Sequence, residues 1–312
     1  MRKMNKKIKK EIERMLVKSK ILFNEPMRRH TSLRIGGPAE VFVAVEGIDE
    51  LRKILKFAGR KNIPLFTVGA GTNLLVSDAG IKGIVLELGR SFNWIKFRKN
   101  IISAGSSAPI RILIEKIYRH GLSGLECMAG IPGTLGGAVV ANAGLPEKAI
   151  GNFIYSVKLM TPSGRIVTKK RDDLWFSYRF SNLKNEKSII LEAVLNNLQK
   201  KSKTKIKDQI TLLMKKRRKN QPYGFPSAGC IFKNPPISPA GILIDFAGLK
   251  GLKIGGAQIS KKHANFILNV NSAKAGDVLR LIERVRKEVY KLFRINLELE
   301  IEKVGGIISE IE

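Results

Sequence analysis

Gly121-Leu-Ser-Gly-Leu-Glu-Cys-Met-Ala-Gly-Ile-Pro-Gly-Thr-Leu-Gly-Gly-Ala-Val-Val-Ala-Asn-Ala-Gly144 holds seven glycines and one proline, and Glu126 is its only charged residue. So much glycine makes an ordinary helix unfavourable, and so little charge rules out a solvated loop. The stretch reads as main chain laid closely against something large. Without Cβ atoms, backbone N–H groups can approach a ligand, and clustered N–H groups cradle phosphate. Composition alone also admits a glycine-rich turn inside a core. A second glycine turn, Val68-Gly-Ala-Gly-Thr-Asn-Leu-Leu-Val76, weighs against that. It follows the apolar run Ile63–Val68, where a strand should end, and two such turns in one chain suggest the two phosphates of a dinucleotide.

Outward from these turns, the 312 residues suffice for two or three domains with well-formed cores. A hydrophobic content of 44% says globular. The formal charge of +31 favours anionic partners. Much of the excess sits in Arg2–Lys10, Lys200–Lys207 and Lys215–Lys219, and such runs are ordinarily solvated faces. The charge is therefore read as a background property of the source proteome, and no nucleic-acid partner is expected. The basic N-terminus lacks a continuous apolar segment and a small-residue cleavage site, so no secretory signal is read there and a cytoplasmic location is expected. Cys127–Pro146, the longest uncharged run, is interrupted by glycine and proline and too weakly apolar to span a bilayer. Cys127 and Cys230 are expected as thiols, and His30, His120 and His263 are scattered without ligand spacing, so no metal site is expected.

In chain order, residues 1–20 predict a basic amphipathic helix bearing Ile8, Ile12, Met15 and Leu16, read as an appendage. Val41–Val45, Asp49–Gly59 and Ile63–Val68 form a strand, helix and strand that deliver the chain into the first glycine turn. Ile81–Leu88 and Ile101–Ala104 predict strands, and Ile110–Tyr118 predicts a helix stopped by His120-Gly121. Ser156–Thr161 and Arg165–Lys170 flank Pro162-Ser-Gly164, a hairpin signal. Ser188–Leu198 predicts a strand and Lys200–Gln221 a helix. Further strands are expected at Gly229–Lys233, Ala257–Ile259 and Asn265–Val270, with a short helix at Ala240–Ala247. A long helix follows, with Val278, Ile282, Val285, Val289 and Leu292 as a buried stripe. Leu297-Glu-Leu-Glu-Ile-Glu302 alternates strictly, predicting a strand with one apolar and one carboxylate face. The class is α+β, in three regions divided near residues 90 and 200.

Seven collinear segments, Thr31–Ala39, Gly69–Gly80, Gly121–Gly144, Trp175–Ser181, Pro226–Pro235, Ile254–Asn269 and Phe293–Gly305, together resemble the UDP-N-acetylenolpyruvoylglucosamine reductase family. These flavoenzymes make UDP-N-acetylmuramate for peptidoglycan, and the match spans roughly residues 20–305. The resemblance implies an FAD-binding half of the vanillyl-alcohol-oxidase type in two subdomains, 21–90 and 91–200. A separate substrate-binding domain, 201–305, would carry the C-terminal catalytic strand and precede a tail at 306–312. The compact third region is more similar to the type that lacks an extra substrate-domain loop.

The same resemblance implies two half-reactions, hydride from NADPH to FAD and then to the enolpyruvyl double bond. It also implies non-covalent FAD, held by Arg34, by Gly69, Ala70, Gly71, Thr72 and Asn73, and by Gly130, Ile131, Pro132, Gly133, Thr134, Gly136, Gly137, Ala138 and Asn142. Reduction leaves carbanion-like charge beside the substrate carboxylate, and three positions match the residues that would manage it. Arg179, in Phe176-Ser-Tyr-Arg-Phe-Ser181, would lie against that carboxylate, because its planar fork suits a dispersed anion better than lysine does; Tyr178 would support it. Cys230 stands where many relatives have the proton-donating serine, and a thiol is the stronger acid. Glu300 matches the family's glutamate near a C-terminal glycine, here Gly305, but Glu298 and Glu302 share its face and only the family pattern chooses among them. Lys219, Lys233, Asn234, Gln258 and Asn269 are weaker candidates for gripping a UDP-sugar. Arg294 and Glu302 depart from the family's usual glycine and arginine. Two other readings stand beside this one: an FAD-dependent oxidase of the same fold acting on a small alcohol or sugar, and a basic nucleic-acid binder. The second lacks the exposed aromatics interleaved with basic residues that single-strand binders use.

Overall fold

The computed structural model describes residues 4–306. The chain groups into two compact units, each assembled from separate stretches: Met1–Phe23, Val41–Ala70 and Gly83–Arg217 in unit one, and Asn24–Glu40, Gly71–Lys82 and Arg218–Glu312 in unit two. Among the described residues no helix is long and apolar enough to cross a membrane.

Unit one has two cores. Helix α1 (Lys6–Met15) packs against α2 (Ile48–Arg60). Its residue Ile12 and its C-cap Leu16 are buried among Leu51, Ile54, Val43 and Leu86. The basic N-terminal helix is therefore a packed element: its lysines face water while one apolar side pays the entropy of docking. The first sheet runs in the order Lys20–Pro26, Pro38–Val45, Ile81–Leu88, Leu65–Val68, the last two strands parallel. The apolar run at 63–68 ladders only from Leu65, because the amide of Ile63 closes the end of α2 by donating to Ala58.

The second sheet is antiparallel, in the order Ile166–Lys170, Ile154–Met160, Ile189–Leu195, Ile101–Gly105, Ile95–Arg98. Its hairpin at 161–165 is the one expected. Helices α3 (Ile110–Arg119) and α4 (Leu135–Val140) contribute to its core. Helix α5 (Lys203–Asn220) lays Ile210 and Met214 on the same core, buries Ile206 and turns its lysines outward.

Unit two contains an antiparallel sheet ordered Ser227–Cys230, Phe266–Asn269, Ala257–Ile259, Lys253–Ile254, with α6 (Ala240–Phe246) and α7 (Ala275–Phe293). The stripe on α7 is buried through Val278, Ile282, Val285 and Val289, but Leu292 is 55% exposed. The helix overshoots its core by one turn and ends at Arg294, whose φ of 57° makes a left-handed cap.

The expected strand at 297–302 is corrected. Leu297 and Ile301 point inward as alternation demands, but no ladder forms there. The segment divides its backbone between two neighbours: Glu300 donates to Ile231, Lys233 donates to Glu298, and Glu302 donates to Asn73. Regular pairing starts only at Glu302–Val304, which runs parallel to Leu74–Val76. The expected strand at Gly229–Lys233 likewise ends at Cys230, with an irregular register around Gly229, whose φ is 78°. The part of the C-terminal tail beyond residue 306 lies outside the described residues.

Candidate active site

In unit one the two glycine turns meet. A Cβ placed on Gly69 would sit 2.8 Å from the Oγ1 of Thr134, and one on Gly137 would sit 3.5 Å from the same atom. Thr134 is the N-cap of α4 and its Oγ1 accepts from Gly137 N–H at 3.4 Å. Gly136 is pressed against the core side, since its Cβ would lie 2.9 Å from Ser106 Cβ. Gly69, Gly130, Pro132 and Gly137 leave main chain exposed on one rim, while Leu135, Ala138 and Val139 anchor the other face. Leu135 and Gly136 N–H at the helix start donate to Ala108 O and Ser106 O at 2.9 and 2.8 Å, so those donors are committed to the protein. The exposed main chain at Gly69, Gly130 and Gly137 is consistent with a dinucleotide's diphosphate lying along this rim.

The exit of the segment carries Arg179. The hairpin Phe176–Ser177/Phe180–Ser181 has the two-residue turn Tyr178-Arg179, and Arg179 has a φ of 55°. A non-glycine residue in the left-handed region costs about 1–2 kcal/mol and persists only where its surroundings enforce it. Three hydrogen bonds do so: Asn142 Nδ2 donates to Ser177 O at 2.7 Å, Ser181 Oγ to Val140 O at 2.8 Å, and Arg179 Nη1 to Gly144 O at 3.1 Å. Asn142 was expected to face FAD. It is 8% exposed, and its Oδ1 accepts from Gly151 N–H, so its carboxamide is committed to the protein. The guanidinium of Arg179 also lies over the Tyr178 ring.

Two further residues of the segment show what holds it. Glu126 is buried and its Oε2 accepts from Gly124 N–H at 2.8 Å, shaping a turn where Gly124 has a φ of 140°. Burial pushes the Cys127 thiol up to about 11, so it is a neutral packing residue at physiological pH.

Unit two holds the remaining candidates. Gly71, with a φ of 62°, lies so close to the preceding segment that an added Cβ would fall inside the contact shell of His30's carbonyl oxygen. Its own carbonyl accepts from Ser32 N–H. Asn73 donates from Nδ2 to Glu300 O at 2.9 Å, while its carbonyl accepts from Glu302 N–H at 2.9 Å. Glu300 N–H in turn donates to Ile231 O, the neighbour of Cys230, at 2.8 Å. The glycine turn, the glutamate and the thiol are thus joined by main-chain bonds over more than two hundred residues of sequence.

The three alternating glutamates separate by environment. Glu298 points to water and pairs with Lys233 Nζ at 3.0 Å, Glu302 is exposed, and Glu300 is half-buried. Lys233, offered as a substrate ligand, is therefore engaged by Glu298. Asn234 Oδ1 accepts from Ala240 N–H at the start of α6, and Gln258 Nε2 donates to Gly251 O. Asn269 is buried and bonds Leu33 O and Ala273 N–H, a pin within the unit. Arg34, with a φ of 54°, and Lys219 are exposed.

Sequence reading missed Asp78, whose carboxylate accepts from Ala275 and Gly276 N–H at 3.0 and 3.3 Å and so caps α7 from a distant stretch. No local signal marks such a cap. Among the described residues there is no group of three or more His, Cys, Asp or Glu side chains placed to hold a metal ion.

Two glycine turns that converge on one helix start offer main chain to an anionic cofactor, and the family matches define the class as an FAD-binding oxidoreductase. The FAD binding domain family matches residues 39–169, which include both glycine turns. The family described as UDP-N-acetylenolpyruvoylglucosamine reductase, C-terminal domain, matches residues 221–304, which include Cys230 and Glu300. The UDP-N-acetylenolpyruvoylglucosamine reductase of Anoxybacillus flavithermus is 42% identical over 287 residues, 90% of this chain and 93% of that protein. That of Bacillus subtilis is 38% identical over 288 residues, covering 92% and 95%. The crystal structure of the reductase from Thermus caldophilus superposes with a TM-score of 0.80 at 34% identity, covering 92% of this chain and 99% of that one. The chain belongs to the UDP-N-acetylenolpyruvoylglucosamine reductase family.

Proposed function

We propose that this chain reduces UDP-N-acetylenolpyruvoylglucosamine to UDP-N-acetylmuramate, with NADPH as the electron source and FAD held without a covalent link. The observation that carries the reading is the meeting of Gly69 and Gly137 at the Thr134 hydroxyl, which gives two stretches of exposed main chain at one helix start. The family membership supplies the substrate class. FAD, its diphosphate against the main chain of Gly69–Asn73 and Gly130–Gly137, would supply the hydride chemistry between NADPH and the enolpyruvyl group.

The chain's own residues do the rest. Arg179 presents two N–H groups in a plane to the substrate carboxylate and stabilises the charge that develops beside it. Its turn is held rigid by Asn142 and Gly144, so little reorganisation is needed as charge appears. Cys230 donates the proton that completes the reduction, leaving saturated carbon where the double bond stood. Glu300, held by Asn73 and Ile231, polarises the enol or returns the proton to the thiolate. Electrons balance: the substrate gains hydride and proton, and NADPH leaves as NADP⁺. Lys219, Gln258 and Arg34 remain candidates for the nucleotide and cofactor phosphates.

The test is anaerobic. The enzyme's flavin is reduced by NADPH and then mixed with the enolpyruvyl nucleotide. Reoxidation by the nucleotide, with UDP-N-acetylmuramate as product, is expected. Reoxidation by oxygen alone would identify an oxidase and overturn the assignment.

A further inference from the structure

The tail of the glycine segment and the Arg179 hairpin are tied at every second residue. Val140 O, the Asn142 side chain and Gly144 O receive or give a hydrogen bond to Ser181 Oγ, Ser177 O and Arg179 Nη1 respectively. Asn142 stands in the middle and makes the shortest of the three bonds. It has a φ of 44°, a left-handed conformation that asparagine tolerates better than most residues. From there its carboxamide reaches both ways, accepting from Gly151 N–H at 3.0 Å and donating to Ser177 O at 2.7 Å. Ser177 immediately precedes the strained Tyr178-Arg179 turn. Gly151 has no room for a side chain, since its Cβ would lie 2.6 Å from Phe176 Cγ and 2.8 Å from Asn142 Oδ1. The carboxamide is thus clamped between two backbone groups in a buried site.

We propose that Asn142 is a positioning residue for Arg179: its carboxamide, bridging Gly151 N–H and Ser177 C=O, holds the Tyr178-Arg179 turn at the exit of the cofactor cradle and thereby sets the guanidinium for the substrate's anion. The inference rests on the assignment of Arg179 to the substrate carboxylate. It moves Asn142 from the set of flavin ligands to the machinery of the second half-reaction. Asn142→Asp keeps the shape and the acceptor for Gly151 but sets an oxygen against Ser177 O. Asn142→Gly frees the backbone at positive φ and removes both bonds, so it separates backbone strain from the carboxamide's role.

The experiment uses the FAD-loaded enzyme with each variant and Arg179→Lys as reference. Flavin affinity is measured by titration, flavin reduction by NADPH in stopped flow, and reoxidation of dithionite-reduced flavin by saturating enolpyruvyl nucleotide. Amide hydrogen exchange over residues 176–181 is followed in the flavin-free protein. Both Asn142 variants should bind FAD and be reduced nearly as the parent is, while reoxidation slows by roughly 10- to 100-fold, the scale of a displaced catalytic group. Exchange over 176–181 should accelerate, and combining Asn142→Asp with Arg179→Lys should add little to Arg179→Lys alone. Loss of FAD, or an equal fall in both half-reactions, would return Asn142 to the cofactor cradle and overturn the proposal. Unchanged reoxidation in the Asn142 variants, with Arg179→Lys impaired, would overturn it while sparing Arg179. Unchanged reoxidation in Arg179→Lys would instead remove the reading on which it rests.

Discussion

Replacing Gly71 by alanine puts the cradle argument to its hardest test, because the cost can be divided into two parts. The first is conformational. Alanine at a φ of 62° is strained by about 1–2 kcal/mol, partly offset by the smaller entropy its unfolded chain must lose. Gly248→Ala measures this part alone: Gly248 has a φ of 70° at the end of α6, in the same unit, and a Cβ there meets nothing within 4 Å. The second part is steric. A Cβ on Gly71 meets the backbone of His30 and Thr31, with His30 C at 2.9 Å and Thr31 Cα at 3.0 Å, and no flexible side chain is available to yield. Overpacking of this kind costs about 1–3 kcal/mol, and displacing the turn weakens the Ser32-to-Gly71 bond, worth about 1 kcal/mol. Gly71→Ala should therefore destabilise by about 3–4 kcal/mol against about 1 kcal/mol for Gly248→Ala. The displaced turn carries Thr72 and Asn73, so flavin binding should also weaken by at least about tenfold, equivalent to 1.4 kcal/mol. Urea unfolding of the flavin-free proteins gives the first comparison and flavin titration the second. If Gly71→Ala unfolds at the same urea concentration as Gly248→Ala and binds FAD equally well, the close approach of this turn to residues 30–31 has no energetic role.

Arg179→Lys keeps the charge and loses the fork, so reoxidation of reduced flavin by the enolpyruvyl nucleotide should slow by about 10²–10³-fold with flavin reduction by NADPH nearly unaffected; stopped-flow rates for each half-reaction decide it, and equal falls would make the residue structural. Cys230→Ala should leave flavin reduction intact and nearly abolish turnover, whereas Cys230→Ser should keep substantial activity; near-normal turnover in the alanine variant would place the proton source elsewhere. Thiol titration of the folded protein should count the half-exposed Cys230 alone, because burial holds Cys127 protonated, and a second thiol should react only on unfolding. Asp277 bears on acid stability: burial pushes its carboxyl up, but N–H donation from Lys274 and Gly256 and the charges of Arg280 and Lys274 outweigh it and hold it below the ordinary carboxylate value. Its contribution is complete above that ordinary value and lost as pH falls through the lowered one, so Asp277→Asn should cost about 1–2 kcal/mol near neutrality and progressively less in acid. A penalty independent of pH, measured by urea unfolding, would show that its charge is irrelevant.

Local chemistry made most elements legible without a structure. The apolar stripe of α7, the runs at 156–161 and 165–170 with the proline–glycine hairpin between them, and the glycine segment each follow from a few neighbouring side chains. The paired glycine turns also suggested a dinucleotide's phosphates, although several of their glycines answer to the protein itself, as Gly71 does to His30 and Gly136 to Ser106. Family resemblance then carried the choice of Glu300, which alternation alone left level with Glu298 and Glu302.

What the chain could not disclose is everything that depends on a partner far away in sequence. The segment at 297–301 has the pattern of a strand, yet its backbone is shared between Ile231–Lys233 and Asn73, and no local signal specifies that division. Asn73, Asn142 and Asn269 are implied as ligands by the family resemblance. Tertiary packing buries or ties each carboxamide against main-chain groups, where an unmet hydrogen bond would be costly. Asp78 caps a helix that begins 197 residues later. Sequence periodicity reports which face of an element is apolar; only the folded chain decides which backbone groups are left unpaired, and so which polar side chains are spent on the protein and which remain for chemistry.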